Sequence, residues 1–223
     1  MKKLLSILAL LLIPTILITA CGDKKEPIPV RTLVKEETSK VINEYYKTMF
    51  TATEKTDRIK ILREYLPEEY KNKNDTELYF FPSSTLSPEK LKEYADKLQE
   101  ANIASKYFDY SGMTDVERVT VNNFIISTYN TYVESLTDKN NIIVEAPLSD
   151  IRVDENRKTS SIYYKNIILK TGKDFTETKK MMNIDKAQIV SIYTYNNGKV
   201  SLKLSAKEIL NTIKELTNPT LVN

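Results

Sequence analysis

Apolar residues recur along this chain at two spacings, close to 3.6 residues as far as Leu136 and close to two beyond Asn141. Val34, Val41, Ile42, Tyr45, Met49 and Ala52 make one stripe of a helix predicted over Leu33–Ala52, with Lys and Glu opposite. Asp57 is a good N-cap for a short helix through Ile59, Ile61, Leu62 and Tyr65, which Pro67 ends. The aromatic run Glu77–Phe81, halted by Pro82, reads as a strand. Ser87 as cap, Pro88 at the first helical position and Glu89 at the positive dipole end open a helix carrying Leu91, Tyr94, Ala95, Leu98 and Ala101, fading near Phe108. Gly112 ends that region. Thr114 and Glu117 form a capping box for the best helix of the chain, whose stripe is Val121, Phe124, Ile125, Tyr129, Tyr132, Val133 and Leu136.

From Asn141 onward strands are expected at Ile142–Val153, with a break at Pro147, and at Ser160–Thr171. Gly172–Asp185 reads as a lysine-rich connector. Ala187–Tyr195 and Lys199–Leu204 form a hairpin about Asn196-Asn197-Gly198, because Asn-Gly supplies the positive φ angles of a tight primed turn. Val200, Leu202 and Leu204 alternate with Ser201 and Lys203, one face buried and one wet. Ser205 and Glu208 form a second capping box, for a last helix through Ile209, Leu210, Ile213 and Leu216 to Pro219. The expected class is α+β, with N-terminal helices packed on a C-terminal antiparallel sheet of about four strands, plus a short C-terminal helix. One domain is expected over residues 32–219.

The first 20 residues follow another pattern. Lys2 and Lys3 precede an apolar run from Leu4 to Ile18 that ends in small residues, the three-part layout of a secretory signal. The run is short for a spanning helix, which needs ~20 apolar residues, and Pro14 weakens it further, although a retained membrane anchor is the competing reading. Ile18-Thr19-Ala20-Cys21 resembles the lipobox of bacterial lipoproteins. The resemblance implies that Cys21 receives a diacylglyceryl group on its thiol and that cleavage falls between Ala20 and Cys21. It implies a mature protein held on the extracytoplasmic face of a membrane. Two acyl chains give stable anchoring where one is marginal. Residues 21–31, charged and then proline-punctuated, read as a tether that spans ~30 Å when extended. The order of elements also looks like the NTF2-like cone of many small envelope lipoproteins, by topology alone. The helix pair from Ser87 to Leu136 and the terminal helix depart from its simplest form.

Composition narrows the chemistry. Removing 20 of 223 residues leaves 203, and the loss of Lys2 and Lys3 sets 31 basic residues against 30 acidic ones. That balance shows no nucleic-acid footprint. With no histidine, every imidazole-based triad, general base or metal site is excluded. Cys21 is the single cysteine, so there is no intramolecular disulfide and no thiolate cluster. Four glycines make a phosphate-cradling loop implausible, and no cofactor is expected.

Three sets of residues are candidates for chemistry. Glu68-Glu69, Asp150 with Asp154, and Asp154-Glu155 are acidic pairs of the kind a two-carboxylate hydrolase needs, though carboxylates are ordinarily solvated surface groups. Tyrosine occurs 14 times without any tryptophan. Tyr45-Tyr46, Tyr163-Tyr164, Tyr193 and Tyr195 suit either a groove for glycan or peptide or, more ordinarily, a core. Lys170, Lys173, Lys179 and Lys180, followed by Met181-Met182, form a basic connector able to touch anionic lipid, at ~1 kcal/mol per lysine, with a solvated loop as the plainer reading. The sequence favours a non-enzymatic, lipid-anchored envelope module that binds an envelope protein or wall component. A hydrolase using carboxylates or Ser/Lys and a small solute-binding lipoprotein are the alternatives.

Overall fold

The longest helical stripe becomes the spine of the molecule. In the computed structural model, which describes residues 28–135, 142–171, 177–178 and 187–217, helix α1 spans Val30–Thr51. Its buried positions step along one face as Val34, Thr38, Val41, Ile42, Tyr45, Tyr46, Met49 and Phe50. Three short helices follow, α2 (Arg58–Arg63), α3 (Glu68–Lys71) and α4 (Asp75–Tyr79). Then come α5 (Pro88–Ala101), α6 (Asp115–Ser135) and, at the end, α7 (Ala206–Thr217). The strands are β1 (Phe108–Asp109), β2 (Ile142–Glu145), β3 (Arg152–Asp154), β4 (Thr159–Tyr163), β5 (Ile168–Thr171), β6 (Glu177–Thr178), β7 (Gln188–Asn196) and β8 (Lys199–Ser205).

The strands form two sheets. The larger runs β1-β8-β7-β4-β3 and the smaller β2-β5-β6. Neighbours from β3 through β4 and β7 to β8 are antiparallel, whereas β1 lies parallel to β8, pairing Phe108 with Leu204. Ile162, Ile189, Tyr193 and Leu204 point from the larger sheet into the core, which α1 covers. Thr38 and Ser160 share a buried hydroxyl hydrogen bond of 2.6 Å across that contact. Ser39 donates to the Ala146 carbonyl at 2.7 Å and Asn43 accepts from the Ala146 amide at 3.1 Å, which fixes the end of β2 to the same helix. One continuous hydrophobic core reaches from Val34 to Leu210.

Local signals set most boundaries. Asp57 accepts from the Lys60 amide at 2.9 Å and Ser87 from the Lys90 amide at 3.4 Å. Thr114 and Glu117 complete their box, each accepting from the other's amide at 3.3 and 2.9 Å. Ser205 accepts from the Glu208 amide at 3.3 Å, but the Glu208 carboxylate turns to the Asn211 side chain, so only half of that box forms. Asn197 and Gly198 take φ of 50° and 79°, the primed turn expected between β7 and β8.

Four expectations need correction. Glu77–Phe81 is not a strand: Asn74 and Glu77 form a capping box with bonds of 3.0 and 3.1 Å that starts α4. The strand expected over Ile142–Val153 is two strands in different sheets, β2 and β3, parted by Pro147 and a 3-10 turn at Leu148–Asp150. The strand expected over Ser160–Thr171 likewise splits into β4 and β5 at the turn Tyr164–Asn166. The expected antiparallel run of about four strands is present as β3-β4-β7-β8, and β1 adds a fifth strand in parallel. The helix from Ser87 also stops at Ala101, where Asn102 turns inward to Asn122 at 2.7 Å. The first 20 residues, Cys21, most of the tether and the lysines and methionines from Lys173 to Met182 lie outside the described residues.

Candidate functional site

The acidic and tyrosine candidates fall at different places in the fold, and of the basic set only Lys170, on β5, is among the described residues. Each acidic residue with a named contact serves its own neighbourhood. Glu68 pairs with Lys71 on α3, and Asp150 accepts from Ser149 at 2.9 Å. Asp154 accepts from the amides of Asn156 and Arg157, both at 3.0 Å, shaping the turn between β3 and β4. Glu155 meets Arg31 at 3.1 Å. Glu69 is exposed on α3. Nothing joins these carboxylates into one cleft. Among the described residues no group of three or more acidic or cysteine side chains is arranged to hold a metal ion.

The tyrosines divide by burial. Tyr45, Tyr46, Tyr164 and Tyr193 are core residues, Tyr163 is half-buried and Tyr195 is exposed. Tyr45 and Tyr46 sit 4.8 Å apart between ring centroids, and Tyr45 meets Phe108 edge-on at 5.2 Å. The Tyr46 hydroxyl is hydrogen-bonded to Tyr164. Burial pushes the hydroxyls of Tyr45, Tyr46, Tyr110, Tyr132 and Tyr164 above the usual tyrosine range, and that of Tyr129 up to about 12. The space that Tyr45, Tyr46, Tyr132 and Tyr164 enclose with Met49, Phe124 and Ile209 is about 20 Å³, scarcely more than one water needs. It is a packed interior.

A concave surface with exposed aromatic lining lies elsewhere, at the far end of α1. The C-terminal ends of α1 and α6 meet where Phe50 packs on Tyr132 at 4.4 Å. From there Asn130 accepts from the Thr56 amide at 3.1 Å and donates to its carbonyl at 3.0 Å, holding the segment before α2 against α6. Lys55 pairs with Glu134 beside it. The result is a groove of about 530 Å³ lined by Lys55, Arg58, Ile59, Tyr79, Ser127 and Asn130, among others. A second hollow of about 360 Å³ adjoins it, lined by Ile59, Asp75, Thr76, Tyr79 and Phe80. Ile59 and Tyr79 belong to both.

Two features set this surface apart. Phe80 is 77% exposed and Tyr79 50%, adjacent rings in edge contact at 5.1 Å that the core does not use. The Arg58 guanidinium stacks 3.9 Å from the centroid of Tyr79. Lone exposed apolar residues are ordinary, but an aromatic pair beside a stacked cation in a hollow is the composition of a recognition surface. None of Arg58, Tyr79 and Phe80 stands out in the sequence. Their one signal is the Asn74–Glu77 capping spacing, which makes Glu77–Phe81 a helix end and turns its rings outward.

Among the described residues no helix is long and apolar enough to cross a membrane. No protein-family model, curated protein or solved structure matches the chain.

Proposed function

We propose that this is a lipid-anchored extracytoplasmic domain that binds an envelope protein partner through the groove at Arg58, Tyr79 and Phe80. The lipobox-like Ile18–Cys21 supports the anchor and the address. The observation that carries the binding role is the exposed aromatic pair beside a stacked arginine, at the junction of two hollows. The NTF2-like reading of the fold draws support from α1 lying across the antiparallel run β3-β4-β7-β8; the parallel β1 and the second sheet are additions to it.

The geometry of α1 fits this placement. The tether joins the domain at Val30, where Arg31 meets Glu155, and the groove lies past Thr51 at the other end of a helix about 33 Å long. The groove therefore lies about one helix length from the residue at which the tether enters the domain.

Two measurements test the reading. Cys21→Ala should release the protein from the membrane fraction and abolish incorporation of labelled palmitate; unchanged membrane association would sink the lipid anchor. A photo-crosslinking residue in place of Phe80 should capture one specific envelope protein in living cells, while the same probe in place of Lys203, on the wet face of β8, should not. Equal capture from both positions would remove the groove from the proposal.

A further inference from the structure

The geometry points to a ligand more specific than a generic partner: a peptide segment in which an apolar side chain sits beside a carboxylate. The inference rests on reading the groove as a partner site and names the partner's chemistry. Arg58 supplies the polar half. Its guanidinium is held in plane by the Tyr79 ring, 3.9 Å away, and Nη2 reaches the Tyr79 carbonyl at 3.4 Å. Among the described residues it meets no carboxylate, although a guanidinium presents five donors. The other charges at these hollows are already engaged. Lys55 pairs with Glu134, Asp75 with Arg63 at 2.7 Å, and Asp57 is turned back to the Lys60 amide. A planar fork already oriented, with donors left over, complements a carboxylate and loses little freedom on binding it.

The apolar half is the adjoining hollow, which shares Tyr79 with the groove at Arg58. The hollow of about 360 Å³ at Ile59, Tyr79 and Phe80 offers an aliphatic or aromatic side chain a place to leave water. Tyr79 and Phe80 stand at 72° to each other, which makes a notch. A sugar ring stacks on a flat aromatic face, so the notch favours a peptide side chain over a glycan. Because the hollows share Ile59 and Tyr79, two side chains on the same face of an extended peptide, two residues apart at ~3.3 Å per residue, reach both.

The test uses the full chain purified from membranes in detergent and three fluorescent, end-blocked peptides that differ at one position. Each carries a leucine and, two residues further on, aspartate, asparagine or lysine. The aspartate peptide should bind at least about tenfold tighter than the other two, as expected for hydrogen bonds to an ionised group. R58Q should erase that difference, and R58E should reverse it toward the lysine peptide, which loss of folding does not produce. F80S should weaken the aspartate peptide roughly tenfold, and K203S should leave it unchanged. Equal affinity for all three peptides, or an aspartate preference surviving R58Q, overturns the proposal. No peptide binding by a chain that still crosslinks through position 80 in cells overturns the peptide chemistry while the partner site stands; absence of both removes the two together.

Discussion

Two aromatic clusters of similar composition sit at neighbouring places in this molecule and do opposite things. Tyr45, Tyr46, Tyr132 and Tyr164 converge between α1, α6 and the strands, with about 20 Å³ left among them. Tyr79 and Phe80 stand on a one-turn helix with their rings toward solvent. In the first cluster each ring contributes buried area and each hydroxyl must find a partner inside, so the tyrosines hold the fold together. In the second the same ring area remains to be buried and is available for recognition. An aromatic residue's role here follows from where the backbone places it, and counting tyrosines in the sequence does not reveal it.

The largest expected contrast is in stability. Tyr46→Ala should cost about 3–5 kcal/mol in urea unfolding, the range for removing a buried aromatic, and Tyr45→Ala should shift the midpoint by a similar amount. A loss below ~1 kcal/mol would mean the interior cluster is not the packed core described. Alkaline pH comes next. The raised hydroxyls bind their protons more tightly when folded, so their contribution is complete below the ordinary tyrosine value of about 10 and is lost as pH climbs through the folded values, about 12 for Tyr129. Tyrosinate absorbance should therefore show a set of tyrosines that ionise only with cooperative unfolding above about pH 10. Full reversible titration of every tyrosine in a folded chain would contradict their burial. A smaller effect, about 1–3 kcal/mol, is expected for Tyr164→Phe, which leaves the Tyr46 hydroxyl buried without its partner. Smallest is Phe80→Ser, within about 0.5 kcal/mol of the parent in stability because the ring is 77% exposed, even as peptide binding falls. If Phe80→Ser unfolded the chain as Tyr46→Ala does, the comparison between the two clusters would fail.

Where sequence reading succeeded, short-range chemistry governed the outcome. The Thr114–Glu117 box, the Asp57 and Ser87 caps and the Asn197-Gly198 turn each depend on contacts within four residues, and each appears in the structure. The error at Glu77–Phe81 also had a local remedy, since the Asn74–Glu77 spacing outweighs the strand preference of adjacent aromatics. The division of strands between two sheets had no such remedy. Pro147 marks a break, but nothing nearby says that β2 turns to β5 while β3 turns to β4.

The candidate site was the least legible part. Arg58 and Tyr79 are 21 residues apart, and what joins them is the packing of α2 against α4 and α5. The tyrosines that attracted notice did so by number and lie mostly inside. By itself the sequence determined the α+β class, the starts of α2, α5, α6 and α7, the tight hairpin and the expectation of a lipid-bearing Cys21, because periodicity, capping and a processing signal act over a few residues. Tertiary structure alone decided which strands share a sheet, which aromatics are buried and that Arg58, which meets no carboxylate among the described residues, lines a groove beside Tyr79. Those outcomes depend on surfaces brought together from distant parts of the chain, which no local pattern encodes.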